Sequence, residues 1–107
     1  MASVAGQQYH VYVVELDRAL CAKRGCLPRN GRPPVYVGQS ANPPEGRFAQ
    51  HKEGYKASRF VRDFGVKLLP RLSKGYGPFT AREAAIDAEA RLARRLERLG
   101  YCVFGGH

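Results

Sequence analysis

The stretch from Thr80 to Leu99 constrains the fold most, because its apolar residues share one side only if it is a helix. Ala85, Ala88, Leu92, Leu96 and Leu99 recur at steps of three and four, while Arg91, Arg94, Arg95 and Arg98 crowd the other side. Thr80 followed three positions later by Glu83 has the form of a capping box and predicts the helix start. Gly100 supplies the left-handed residue that commonly ends a helix. Glu89 breaks the pattern: four after Ala85 and three before Leu92, it points with the apolar stripe. A carboxylate there costs roughly several kcal/mol unless it is paired, metal-bound or neutralised.

Ahead of that helix the chain reads as strands and short helices. His10 to Leu16 alternates as a strand, with Val11 and Val13 on one face and Tyr12, Val14 and Leu16 on the other. Asp17 to Pro34 loses periodicity and is expected to be an extended hairpin loop. Its Lys23, Arg24, Arg29 and Arg32 suit either a phosphate-contacting arm or a solvated loop. Val35 to Gly38 is the returning strand, which brings Tyr12 and Tyr36 into one small sheet. Pro44 to about Lys52 reads as a helix with Arg47 and His51 on one face and Phe48 as core anchor. A short helix follows over Ser58–Phe64, then an edge strand over Val66–Leu72 interrupted by Pro70. A Gly/Pro/Tyr loop leads to Thr80, and Tyr101–Phe104 forms a last strand. This interspersed order predicts a single α+β domain over residues 1–107.

The charge balance narrows the partners. Eighteen Lys+Arg against nine Asp+Glu give +9 over 107 residues, which favours an anionic partner. Nucleic acid comes before membrane, since no basic amphipathic anchor, transmembrane run or signal sequence stands out; a cytoplasmic location is expected. Cys21, Cys26 and Cys102 are an odd number and read as free thiols. Cys21 and Cys26 lack a second pair at zinc-ligand spacing, with His10 and His107 the remaining donors that would complete a site.

Taken singly, the polar candidates have ordinary explanations. A strand Tyr is usually structural, Arg47 and His51 suit a solvated helix face, and Glu89 could pair with Arg47 or Arg59. Taken together they carry the parts of phosphodiester hydrolysis. That reaction needs a base for water, a cation for developing phosphorane charge and usually a hard divalent metal. Mg²⁺ takes oxygen ligands and keeps several waters, so one carboxylate plus substrate phosphate can hold it. Arginine's planar, permanently charged fork suits the phosphate. Tyrosine is an unusual base at a reference pKa of about 10, so its surroundings would have to favour the phenolate.

Four segments in order give this set a family likeness. His10-Val11-Tyr12, Tyr36-Val37-Gly38-Gln39-Ser40, Gly46-Arg47-Phe48-Ala49-Gln50-His51 and Asp87-Ala88-Glu89-Ala90-Arg91-Leu92 resemble the motifs of the GIY-YIG nuclease superfamily. The resemblance spans roughly Tyr9 to Gly106. It implies a small central antiparallel sheet of about three strands flanked by helices, and metal-dependent DNA cleavage. In that reading Glu89 ligates one Mg²⁺ or Mn²⁺, Arg47 stabilises the transition state, and Tyr12 and Tyr36 line the nucleophilic water. His51 is an auxiliary base or phosphate contact. Gly38 and Gln39, with Arg47, Lys52, Lys56 and Arg59, make the expected nucleic-acid contact.

The chain also departs from the pattern. His10 stands where the family name has Gly, and Gln39 where some members carry Lys. The loop between the tyrosines is longer than usual, and no Asn follows Asn42. Almost nothing lies beyond the catalytic-type module, so targeting falls to its own basic surface or to a protein partner. The implied substrate is DNA, branched and single-stranded forms included, in repair or restriction. A nucleic-acid-binding module that keeps the fold without turnover is the alternative, and a basic structural or protein-interaction domain is a third reading.

Overall fold

Alternating valines and tyrosines set the centre of the molecule. In the computed structural model, which describes residues 7–27, 29–55 and 57–105, His10–Leu16 forms the strand β1. It pairs antiparallel with β2, Val35–Ser40, and on its other side with β3, Gly65–Leu68. A further strand, β4 (Val103–Gly105), joins the far edge of β2 in parallel, giving the order β3-β1-β2-β4. The sheet is therefore four-stranded and mixed, which corrects the expected three-stranded antiparallel sheet. The reason is a crossover. The long helix α5, Arg82–Arg98, lies across one sheet face and returns the chain to the end where β2 begins.

The two faces are covered differently, as the alternation of β1 requires. Val11, Val13, Val35 and Val37 pack against Ala85, Ala88, Leu92, Ala93 and Leu96 of α5. Each leucine buried there contributes about 1.5–3 kcal/mol. The opposite face holds Tyr12, Val14 and Leu16, with Tyr36 beside them. Against it pack Leu20 of α1 (Ala19–Arg24), Phe48 of α2 (Pro44–Glu53) and Phe60, Val61 and Phe64 of α3 (Arg59–Phe64). A short helical turn, α4 (Pro70–Ser73), closes the first face.

Several local expectations change. The helix over 80–99 begins at Arg82, and neither Thr80 nor Ala81 caps it through a side chain. Phe79 is bridged to Tyr9 by two backbone bonds of 2.7 and 2.9 Å, which keep the chain extended up to Thr80. Arg82 instead stacks on the Tyr9 ring at 5.1 Å. At the other end Gly100 has φ +102°, and the Tyr101 amide closes the helix on the Leu96 carbonyl. Leu99 leaves the stripe and is exposed. The strand over 66–72 ends at Leu68, because Pro70 opens α4 at a position where proline suits a helix. The segment 17–34 is not all loop. Asp17 Oδ1 accepts from the Ala19 amide, α1 follows, and Gly25 at φ +68° ends it.

Among the described residues, no helix is long and apolar enough to cross a membrane.

Candidate functional site

The site grows from the β1–β2 register. Tyr12 lies opposite Gly38 and Val14 opposite Tyr36, so the two tyrosines are diagonal neighbours on one face. Their ring centroids are 6.2 Å apart. Gly38 makes this approach possible. A Cβ there would stand 2.7 Å from Tyr12 Oη and 2.9 Å from Tyr36 Cε2.

Helix α2 adds His51 and Arg47. His51 is 1% exposed and stands edge-on to Tyr36, with centroids 5.7 Å apart and planes at 70°. Its Nδ1 accepts the Ser58 amide at 2.9 Å, and a backbone amide can only donate. Nε2 therefore carries the proton of the neutral ring and donates to Tyr12 Oη at 3.0 Å. Burial, then the nearby Arg47 charge, push the imidazole pKa down to about 4, which keeps it neutral near pH 7. Arg47 Nη1 donates to Gln50 Oε1 at 3.1 Å and to the Tyr55 carbonyl at 3.3 Å. The guanidinium is thus held in place beside the phenols.

Burial pushes the Tyr12 phenol up, Tyr36 adds to this, and Arg47 opposes it. Burial and then the Glu89 carboxylate raise Tyr36, while the Ser58 hydroxyl, Arg47 and Tyr12 draw it back. Glu89 also raises Tyr12, so its charge is felt by both phenols although it comes from α5. The carboxylate is 6% exposed, and burial raises its pKa. Among the described residues, the ion pairs are Arg62–Asp63 and Arg91–Asp87. Neither of these pairs involves Glu89. The acid placed against the stripe by sequence is buried, with no ion pair among the described residues.

Gln39 follows Val35 and Val37 on the face toward α5, and its Oε1 is buried without a hydrogen-bond partner among the described residues. It lines a cleft of about 400 Å³ with Ser40, Asn42, Arg47, Tyr55 and Arg82. An orphaned amide oxygen and an unpaired carboxylate are the hard donors that Mg²⁺ or Mn²⁺ prefers. By donor chemistry the Glu89 carboxylate suits such an ion, which keeps water and phosphate oxygens as its other ligands. No group of three or more His, Cys, Asp or Glu that could hold a metal occurs among the described residues.

The remaining expected contacts separate. Lys52 turns away from the cleft, its Nζ donating to the Arg62 and Gly65 carbonyls at 3.2 and 3.1 Å. Arg59 lines a second cavity, of about 390 Å³, with Lys23, Arg24, Phe60 and Phe64. Lys56 and His107 lie outside the described residues. Of the basic loop, Arg29 Nη2 donates to the Arg98 carbonyl and Arg32 stacks on Tyr101 at 5.1 Å. Those two arginines therefore make packing contacts. Cys21, Cys26 and Cys102 are free thiols. His10 opens β1, at the end opposite the one leading into α1 and Cys21.

Sequence reasoning missed Ser58. Its hydroxyl accepts from the Phe60 amide to cap α3, its amide fixes the His51 tautomer, and its hydroxyl acts on Tyr36. A serine at the head of a short helix is a readable cap signal, but its link to His51 depends on how α2 and α3 dock. Comparison with family models, curated proteins and solved structures returned no match for this chain, so the site stands on its own geometry.

Proposed function

We propose that this chain is a metal-dependent endonuclease of the GIY-YIG kind, hydrolysing phosphodiester bonds in DNA. The observation that carries the reading is one convergence. Tyr12, Tyr36, His51 and Arg47 meet on one side of the hairpin, and a buried carboxylate with no ion pair among the described residues acts on both phenols from α5. A purely structural Glu89 would be expected to be paired or replaced by an apolar residue.

In this account Glu89 would hold a divalent ion through its carboxylate. Bound there, such an ion would offset phosphate charge and acidify a coordinated water. The chain's own residues do the rest. Arg47 binds a non-bridging phosphate oxygen and stabilises charge that builds on it in the transition state. Tyr12 and Tyr36 hydroxyls orient the attacking water, and His51 Nε2–H fixes the Tyr12 oxygen. Gly38, itself buried, leaves room for the two phenols to come together.

A non-catalytic nucleic-acid module has one observation in its favour. Burial raises both phenols, and the Ser58 amide occupies His51 Nδ1, so no ready base stands in the substrate-free cleft. The readings part in a nicking assay on plasmid, branched and single-stranded DNA with Mg²⁺ or Mn²⁺. Cleavage that disappears in Glu89→Gln supports the enzyme. Salt-sensitive binding without cleavage of any substrate supports the module.

A further inference from the structure

The arginines on the far side of α5 take no part in the cleft. At about 100° per residue, Arg91, Arg94, Arg95 and Arg98 stand roughly 140–240° around the helix from Glu89. All four are exposed, and with Tyr76 they line a concavity of about 360 Å³. Arg91 Nε is tied to Asp87 Oδ2 at 2.9 Å. Arg94, Arg95 and Arg98 have no acidic partner among the described residues.

Such a row contributes nothing to the core, and its like-charge pairs four apart oppose helix formation. A polyanion would reverse that sign. From Arg91 to Arg98 the row spans roughly 10 Å, a length over which duplex DNA carries about six phosphate charges. Planar guanidinium groups fork onto phosphate oxygens, and Tyr76 is the one uncharged residue in the lining. An acidic protein surface seldom offers charge at that density. Because α5 itself separates these arginines from Glu89, one straight duplex does not reach both.

We infer that the outer face of α5 is a second phosphate-binding surface, holding a nucleic-acid segment other than the one in the cleft. It binds the phosphodiester backbone without regard to sequence, and it rests on the reading of this chain as one that acts on nucleic acid. A protein with two such faces suits branched or looped DNA, where two segments lie close together.

The test counts short DNA duplexes bound per full chain by analytical ultracentrifugation, in an E89Q background that blocks cleavage. The E89Q protein is expected to bind two duplexes, and E89Q with R94A/R95A/R98A only one. The slope of log Kd against log salt should fall by about 2–3 in that variant. Substituting R94K/R95K/R98K keeps the charge and should keep both duplexes, and equal melting temperatures confirm that the variants are folded. One duplex on the E89Q protein and none on its alanine variant would support the α5 surface while removing the cleft as a DNA site. Unchanged stoichiometry and salt slope in the alanine variant, or no binding by the E89Q protein at low salt, would overturn the inference.

Discussion

His51 donates through Nε2 to the Tyr12 hydroxyl oxygen at 3.0 Å, and it does so as a neutral ring. Ser58 fixes the tautomer from the other nitrogen. The buried pair joins α2 to β1, so its protonation state bears on stability and, in the proposed function, on chemistry.

The first expectation concerns acid. Folding lowers the His51 pKa from 6.5 to about 4, chiefly by burial. Between those values the unfolded chain binds the extra proton and the folded one does not. Stability from the neutral ring is therefore complete above pH 6.5 and is lost as pH falls toward about 4. The loss reaches as much as about 3 kcal/mol. Urea melts of wild type across this window should show the decline, and His51→Gln should flatten it. A wild-type profile no steeper than that of the variant would mean that the ring does not titrate in this way.

The tyrosine hydroxyls should separate activity from stability. Tyr36→Phe should lower cleavage on the order of 100-fold while costing about 1 kcal/mol or less. Tyr12→Phe should cut activity similarly but cost more, about 1–3 kcal/mol, because His51 Nε2–H loses its acceptor. Cleavage rates paired with chemical melts decide this. Losses of activity no larger than the fraction unfolded would assign both residues to packing.

Gly38→Ala tests the close approach directly. Its methyl would meet the Tyr12 hydroxyl at 2.7 Å and Tyr36 Cε2 at 2.9 Å, so the rings must separate. The expected cost is about 1–3 kcal/mol, with cleavage falling further than that cost alone explains. Restored ring geometry in the variant's crystal structure alongside lost activity would point to another cause.

Much of this site was legible in sequence, and the reasons are local. Alternation fixed the two faces of β1, and with them the side on which Tyr12 lies. Helical spacing singled out Glu89 because an acid within an apolar stripe is a misfit that needs no tertiary knowledge to see. What escaped was set by packing. The helix α1 is six residues long and buries only Leu20, too little for a periodic signal. The capping-box pattern at Thr80 lost to the Tyr9–Phe79 bridge, a contact between distant parts of the chain. Parallel pairing of β4 depends on where α5 delivers the chain, and Ser58 joins the site only once α3 docks on α2.

Glu89 should betray a metal through stability as well as rate. Burial disfavours its charge, so Glu89→Gln should raise the metal-free melting temperature by a few degrees near neutral pH. The difference should shrink as acid protonates the wild-type carboxyl. Saturating Mg²⁺ or Mn²⁺ should stabilise wild type, by about 2.7 kcal/mol at a hundredfold excess over Kd, and leave the variant unmoved. An equal metal response in both proteins would place the ion elsewhere.

The nicking rate of wild type beside Glu89→Gln and Arg47→Ala, on supercoiled plasmid with Mg²⁺ or Mn²⁺, bears most directly on the whole account. Wild type should nick only with metal. Arg47→Ala should lose on the order of 100- to 1,000-fold, and Glu89→Gln should fall to background, with both variants folded. Nicking by Glu89→Gln at the wild-type rate would contradict the proposed centre.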